Sequence, residues 1–412
     1  TGNNASVGNY ETMFLANQLY YSSFGKGYGP EVINELLSWE KTTELNFGLD
    51  FGFFNGRLSG TIDWYNKTSK DLLMDQKLLL EQGSPTGTMT ANVGKVRNSG
   101  IELMLKGVLL QTKNFYWDVT ATFAKNKNEI LELQGKKEDM RAERWFIGQP
   151  IDVAYDLRQT GICTQATANE KVTIDGVTKT KSEWYGYFEG CMTYEDINKD
   201  GKIDDSDRQI IGQAMPKWTG TLSTSFSYKN WDFSMSVNTK QGHTLYSPFM
   251  QEFTDYSDRG RTKLKMDFYI PEGAPVFNYT WDGSNPSSLT SDRTVVAGQT
   301  HVGSYPYPLN DVNYNHGGGN GWYTGKNTEF KSNNYVDASY WKIKNITLGY
   351  TFDKQLTKKI GIEHLRIYAN VLNPFTFTDY KGFDPEWADA AILDGTGGPS
   401  SISYQIGLNV KF

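Results

Sequence analysis

The chain has 412 residues, of which 38% are hydrophobic and 14% aromatic, and its formal net charge is −6. The acidic balance argues against a nucleic-acid partner, and the absence of any apolar run of about 18 residues excludes a membrane-spanning helix. A membrane-spanning β-barrel stays open, because its strands alternate apolar and polar residues and so keep the mean hydropathy low, here −0.55.

Period-two alternation of apolar and polar residues marks the predicted strands, and in chain order it first appears over residues 45–53 and 58–64. Asn55-Gly56 lies between these two segments and favours a type I′ hairpin turn. The same pattern predicts strands over 101–110, 115–127, 217–228, 231–239, 341–352 and 365–372, with weaker runs over 72–80 and 151–160. The last segment, 402–412, alternates throughout and is about as long as a tilted strand that crosses a bilayer. The pattern predicts roughly ten to twelve strands in total.

The predicted connections fall into two length classes that alternate along the chain. Short connections lie at 54–57, 111–114, 229–230 and 353–364, and long ones cover 128–150 with 161–216, then 240–334 and 373–401. Outer-membrane barrels have short periplasmic turns and long extracellular loops. We therefore predict an all-β fold, a transmembrane antiparallel β-barrel, in which 161–216 and 240–334 are long extracellular loops.

Residues 196–207 follow the twelve-position pattern of a calcium-binding loop, with Gly201 at the sharp turn. Carboxylates this close together repel one another unless a hard cation neutralises them. The pattern predicts a structural Ca²⁺, with Mg²⁺ as the alternative ion, that pins the 161–216 loop; a solvated Asp-Gly turn without metal is the competing interpretation. The predicted ligands are Asp196, Asn198, Asp200, Lys202 (through its carbonyl), Asp204 and Asp207.

Other chemistry-bearing residues give weaker signals. The four histidines are scattered without zinc-site spacing, and a carboxylate pair such as Asp384 and Glu386 is an expected surface feature in so acidic a chain. No catalytic site is predicted. Cys163 and Cys191 are compatible either with one disulfide or with two free thiols. Loop aromatic residues are candidates for stacking on sugar rings, or for packing the loops and contacting a partner: Trp281, Trp322, Tyr323 and Trp387.

Several segments, in order along the chain, resemble the SusC/RagA family of TonB-dependent transporters. They are 37–60 (LSWEKTTELNFGLDFGFFNGRLSG), 92–102 (NVGKVRNSGIE), 196–212 (DINKDGKIDDSDRQIIG), 216–220 (PKWTG), 341–352 (WKIKNITLGYTF) and 373–386 (NPFTFTDYKGFDPE). The resemblance implies that 1–412 is the C-terminal part of a barrel of about 22 strands, supplying around half of it. The plug domain, the TonB box and the first strands are then expected to precede Thr1.

The resemblance also implies function and location. It places the protein in the outer membrane of a Gram-negative, Bacteroidetes-like cell, among outer-membrane lipids. It implies a SusD-like surface lipoprotein as a lid, energy from the TonB complex through the plug, and an oligosaccharide as the usual cargo, with oligopeptides in some relatives. A passive porin or adhesin barrel and a soluble carbohydrate enzyme or binding module are the alternatives.

Overall fold

The computed structural model describes residues 16–21, 25–30, 37–77, 88–249, 269, 271–272, 275–279, 291–295, 301–303, 334–389 and 398–412. Strands dominate these residues, and the helices are short. The helices are α1 (Gln165–Asn169), α2 (Lys181–Tyr185) and α3 (Lys354–Thr357), with 3₁₀ turns at Asp205–Asp207, Lys358–Ile360 and Pro385–Trp387. The strands are β1 (Ala16–Tyr21), β2 (Gly25–Pro30), β3 (Lys41–Phe53), β4 (Leu58–Lys77), β5 (Thr88–Gln111), β6 (Phe115–Glu132), β7 (Val153–Leu157), β8 (Gln159–Ile162), β9 (Lys171–Ile174), β10 (Val177–Thr180), β11 (Met192–Tyr194), β12 (Arg208–Gln213), β13 (Trp218–Tyr228), β14 (Trp231–Gln241), β15 (Thr244–Tyr246), β16 (Pro275–Tyr279), β17 (Ser291–Val295), β18 (Tyr335–Asp337), β19 (Tyr340–Thr351), β20 (His364–Thr378) and β21 (Ser403–Lys411).

One antiparallel sheet of nine strands forms the body of the chain, in the order β21-β20-β19-β14-β13-β6-β5-β4-β3. Each of these strands pairs with the next one along the chain among the nine, so the sheet is an up-and-down meander, as in outer-membrane barrels. The predicted all-β antiparallel fold is confirmed. The sheet is open, since β3 and β21 pair with no further strand within the described residues.

The register divides the sheet into an apolar face and a polar face. Leu49 lies opposite Ile62, and Ile62 lies opposite Leu103 on the following strand. This face is exposed: Phe47 is 64% and Ile406 85% accessible although both are large and apolar. A wide apolar surface of this kind matches the lipid-facing side of a membrane barrel.

Aromatic side chains cluster at both ends of the apolar face. At the end with short turns, the rings of Trp231 and Tyr350 lie 4.8 Å apart, and at the other end Trp218 and Trp341 lie 5.9 Å apart. Trp218 and Tyr228 bound β13, which has 11 residues. At about 3.4 Å per residue and a tilt of about 40°, they are separated by roughly 26 Å along the membrane normal. That spacing matches the apolar band of about 25 Å between the two aromatic girdles of outer-membrane barrels.

The turn between β3 and β4 has the predicted geometry. Asn55 and Gly56 have positive φ values of 55° and 81°, and the Arg57 N–H donates to the Phe54 carbonyl at 3.3 Å. Positive φ at both central residues is what a type I′ turn requires.

Two of the weaker predicted strands are placed differently in the structure. The described part of the 72–80 run, 72–77, lies inside β4, because a bulge at Asp71, with φ of 59°, shifts the register and resets the alternation halfway along one long strand. Residues 78–80 lie outside the described residues. The 151–160 run forms β7 and the start of β8, which pair outside the meander with β12 and β11. The pattern there is that of a strand, but its partners lie in the long connection between β6 and β13.

That connection folds into a small unit with its own core, which we call the loop domain (residues 151–213). It contains three two-stranded sheets, β7 with β12, β8 with β11, and β9 with β10, together with α1 and α2. Its interior is apolar and centres on Leu157, Cys163, Ala168, Tyr187, Cys191, Met192 and Tyr194. Among the described residues, no helix is long and apolar enough to cross a membrane.

Candidate functional site

The polar face of the sheet is the first candidate site. Successive strands place hydroxyl and amide groups side by side: Ser223 Oγ donates to Ser236 Oγ at 3.1 Å, and Thr347 Oγ1 donates to Asn370 Oδ1 at 2.9 Å. A cavity of about 380 Å³ lies over β4–β6, β13, β14 and β19 on this face. It can bind a polar ligand through many hydrogen bonds at once. Its charged or hydrogen-bonding lining includes Asp63, Glu102, Asn238, Lys240, Tyr340 and Glu386.

A buried ion cluster borders this cavity. The ammonium group of Lys342 on β19 donates to Asp384 at 2.6 Å, to Glu386 at 2.7 Å and to the Ser400 hydroxyl at 2.9 Å. Lys344 donates to both Glu386 oxygens at 2.8 Å. The side chains of Lys342 and Asp384 are 1% and 2% exposed, so the segment that follows β20 is folded back and clamped onto the sheet.

The electrostatics of the cluster follow from its geometry. Burial works to raise the pKa of Glu386, but the hydrogen bonds and charges of Lys342 and Lys344 outweigh it and lower that pKa to about 2. The backbone N–H of Glu386 also donates to Asp384 at 3.0 Å, within the capped 3₁₀ turn Pro385–Trp387. Both carboxylates accept hydrogen bonds from lysine, and the two lysines hold Glu386 in its ionised form.

Sequence reasoning did not find this cluster. The prediction that Asp384 and Glu386 are surface acids is wrong, because their side chains are 2% and 18% exposed, and the sequence pattern predicts no role for Lys342. The signal that could have found it is Lys342 and Lys344 spaced two apart, which places both lysines on one side of β19. The partner of each lysine lies about 40 residues further along the chain, so the pairing itself has no local signature.

The acidic loop at 196–207 lies on the surface of the loop domain and has a regular hydrogen-bonded form. Asp196 accepts from the Lys199 and Gly201 N–H groups at 2.6 and 3.0 Å. Asp207 is fully buried, and its two oxygens accept from the Ile197 and Asp204 N–H groups at 2.9 and 3.0 Å. The fold therefore brings the first and last predicted ligand positions into the same closed turn.

Gly201 takes the sharp turn, as predicted. Its φ is +81°, and a Cβ there would lie 2.5 Å from a ring carbon of Trp184. The loop is electronegative: burial and then the nearby Asp196, Asp207 and Asp200 raise the pKa of Tyr185, whose hydroxyl donates to Asp196, to about 12.

The metal prediction remains untested by this geometry. Asn198 donates its amide to Asp200 Oδ2 at 3.0 Å and to the Ser206 hydroxyl at 2.8 Å, and Asp204 accepts from the Ser206 N–H at 2.8 Å. Within the described part of the chain, no three His, Cys, Asp or Glu side chains are grouped as metal ligands. Calcium binding stays a prediction.

Of the predicted sugar-stacking residues, only Trp387 can be placed. It closes the 3₁₀ turn that carries Glu386, and it is 55% exposed. Trp281, Trp322 and Tyr323 lie outside the described residues.

Comparison with known proteins gives one family. Residues 4–265 match the family model described as "TonB dependent receptor-like, beta-barrel". The chain is 28% identical over 434 aligned residues to the TonB-dependent receptor SusC of Bacteroides thetaiotaomicron, covering 98% of this chain and 35% of that protein. It is 27% identical to TonB-dependent receptor P39 of Formosa agariphila, covering 99% of this chain and 39% of that protein.

Solved structures show the same fold. The RagAB peptide importer in its open-open state superposes with a TM-score of 0.65 at 24% identity, over 100% of this chain and 39% of that chain. The RagAB peptide transporter gives a TM-score of 0.63 over the same share of this chain. The chain thus spans between a third and two fifths of the length of these relatives.

Proposed function

The chain belongs to the TonB-dependent receptor-like β-barrel family, and we propose that in the whole protein it forms the C-terminal part of an outer-membrane importer of oligosaccharides. Family membership confirms two predictions made from the sequence, the outer-membrane location and the assignment to a class of proteins that are not enzymes.

The two-faced sheet is the observation that carries the proposal. Its apolar face is exposed and flanked by aromatic clusters, whereas its other face carries hydroxyl, amide and charged side chains. A sheet of this kind is stable when lipid covers the first face and an aqueous lumen covers the second. We place the long connections, including 161–216 and 240–334, on the extracellular side and the short turns in the periplasm.

The proposed partners follow from the relatives. A SusD-like surface lipoprotein is expected over the extracellular mouth, and TonB is expected to act through a plug domain elsewhere in the whole protein. The RagAB structures, described as a peptide transporter and importer, support an assembly of this general form.

The polar face favours an oligosaccharide as cargo. Thr122 lies opposite Thr221, which in turn lies opposite Asn238, so neutral hydroxyl and amide groups run across the sheet. Sugar hydroxyl groups, which both donate and accept, are the natural partners of such groups. An oligopeptide is the alternative cargo, supported by the RagAB relatives.

Growth experiments separate these cargoes. The gene for the whole protein would be deleted and restored in its host, and growth compared on single oligosaccharides, their monosaccharides and oligopeptides. We expect growth to fail on one oligosaccharide class and to persist on the monosaccharide. Failure on peptides alone would favour the alternative cargo, and uptake that persists without TonB would refute energised import.

We further propose that the acidic loop at 196–207 holds a structural Ca²⁺, with Mg²⁺ as the alternative. The donor sequence and the turn at Gly201, with its φ of +81°, support it. Titration of the full-length protein with Tb³⁺, read by sensitised luminescence and by competition with Ca²⁺ and Mg²⁺, tests the site. An Asp204→Asn/Asp207→Asn variant should lose the signal, and equal luminescence in the variant and the wild type would contradict the proposal.

A further inference from the structure

The loop domain contains both cysteines of the 412-residue chain. Cys163 is 0% and Cys191 2% exposed, and both lie in the same apolar core. They are thiols in this structure. Neither takes part in the polar face or the acidic loop, so the import function leaves them unexplained.

The two residues lie directly opposite each other. Ile162 on β8 pairs with Met192 on β11, and one step further the Cys163 N–H donates to the Cys191 carbonyl at 2.7 Å. Facing residues in antiparallel strands have Cα atoms about 4.5–5.5 Å apart. That range lies inside the Cα separation of about 4.4–6.8 Å that a disulfide spans.

A glycine bulge sets this opposition. Gly190 has φ of +87°, its N–H donates to the Cys163 carbonyl at 2.7 Å, and the Cys191 N–H donates to the Phe188 carbonyl at 3.1 Å. Gly190 and Cys191 together oppose Cys163, which is the pattern of a G1 bulge following a tight turn. The backbone thus holds the two side chains in place before any bond joins them.

We propose that Cys163 and Cys191 are joined by a disulfide bond in the mature protein. The proposal rests on the outer-membrane location of the family and not on the cargo. The loop domain is exported whichever side of the membrane it faces, and both the periplasm and the cell surface are compartments in which disulfides form and persist.

The chemistry requires an oxidant, which we assign to the disulfide of a periplasmic thiol-oxidising carrier protein. The Cys163 thiolate attacks one carrier sulfur, forming a mixed disulfide and releasing the other carrier sulfur as a thiolate. Cys191 then loses its proton and attacks Cys163 Sγ, which forms the Cys163–Cys191 bond and releases the second carrier sulfur. Two thiols are oxidised, and the carrier takes up the two electrons and two protons.

The environment of the thiols favours this order of attack. The hydrogen bond with Cys191 lowers the pKa of Cys163 against the opposing effect of burial, and the same hydrogen bond, with burial, raises the pKa of Cys191. The more acidic thiol is the one that reaches the reactive thiolate form first. The finished bond lies in the apolar core of the loop domain and is shielded there from reductants.

Peptide mapping of the full-length protein tests the bond without any substitution. The protein would be extracted from outer membranes in N-ethylmaleimide, denatured in the same reagent, digested with trypsin and analysed by mass spectrometry. Trypsin cleavage yields peptides 159–171 and 182–199, each with one cysteine, and three cleavage sites (after Lys171, Lys179 and Lys181) lie between the cysteines. We expect these two peptides linked, two hydrogens lighter than their sum, and separated by reductant.

One control variant makes the result interpretable. In Cys191→Ser, peptide 159–171 should carry N-ethylmaleimide, which shows that a free Cys163 is detectable. Full labelling of both peptides in the wild-type protein, or a link from either one to a different cysteine, would overturn the proposal. Neither result bears on import, so the test is independent of the proposed function.

Discussion

Lys342→Met is the substitution for which the structure gives the sharpest prediction. It removes an ammonium group with three acceptors and leaves Asp384, whose side chain is 2% exposed, without a counter-ion. Removing one partner of a buried ion pair costs about 3–5 kcal/mol, because the remaining charge stays desolvated. Methionine keeps the length and apolar stem of lysine, so packing changes little.

Lys344→Met is the matched control. Lys344 contacts the same carboxylate, Glu386, but its side chain is 33% exposed. An ion pair in contact with solvent contributes about 0–1 kcal/mol. Lys342→Met should therefore destabilise the clamped turn by about 2 kcal/mol or more beyond the effect of Lys344→Met, although the two lysines lie only two residues apart on one strand.

Hydrogen exchange read by mass spectrometry on the full-length protein measures this difference. The amides of Glu386 and Trp387 are hydrogen-bonded within the clamped turn and report its opening. At about 1.4 kcal/mol per factor of ten, Lys342→Met should speed their exchange roughly a hundredfold or more, and Lys344→Met less than about tenfold. Heat-dependent gel migration would confirm that both barrels are folded. Equal exchange in Lys342→Met and wild type would refute the argument that the ion cluster clamps this segment.

Other predictions follow from the same structure. The pKa of Glu386 is lowered from 4.5 to about 2 in the folded protein. Its ionised carboxylate therefore stabilises the clamped turn above pH 4.5, and this stabilisation is lost as the pH falls from there towards 2. The protection of the Trp387 amide from hydrogen exchange should decrease over the same range. Gly201→Ala should destabilise the acidic turn by at least about 1–2 kcal/mol, because its φ of +81° is unfavourable for an L-residue and its Cβ would lie 2.5 Å from the Trp184 ring. Faster tryptic cleavage after Lys199 and Lys202, with Gly398→Ala as the control, would show it. If exposed Trp387 stacks on cargo sugars, Trp387→Ala should weaken oligosaccharide binding by about 1 kcal/mol or more while Trp39→Ala does not; calorimetric titration of the purified protein decides this.

The nine-stranded meander was largely predictable, because the side chains of a strand alternate with a period of two and this pattern is local. Where the alternation was interrupted, the prediction was wrong. The bulge at Asp71 reverses which face each residue occupies, so one strand appeared as two runs. No local signal distinguishes a bulge from a turn at that position.

The candidate sites were only partly predictable, for the same reason. The loop at 196–207 was recognisable because its donors and Gly201 lie within twelve consecutive positions. The pairing of Lys342 with Asp384 and Glu386 joins residues 42 and 44 positions apart. Neither segment carries a local pattern that predicts its partner.

By itself, the sequence determined the fold class, most strand segments of the nine-stranded sheet, the alternation of short and long connections, and a family resemblance that the comparisons confirmed. Only the tertiary structure decided which side chains share the polar face, that the segment after β20 is clamped onto β19, and that Gly190 sets Cys191 opposite Cys163. Alternation and turn chemistry act between neighbouring residues, whereas these contacts form only when long connections bring distant residues together. The geometry of these contacts is therefore a property of the packed sheet and the packed loop domain.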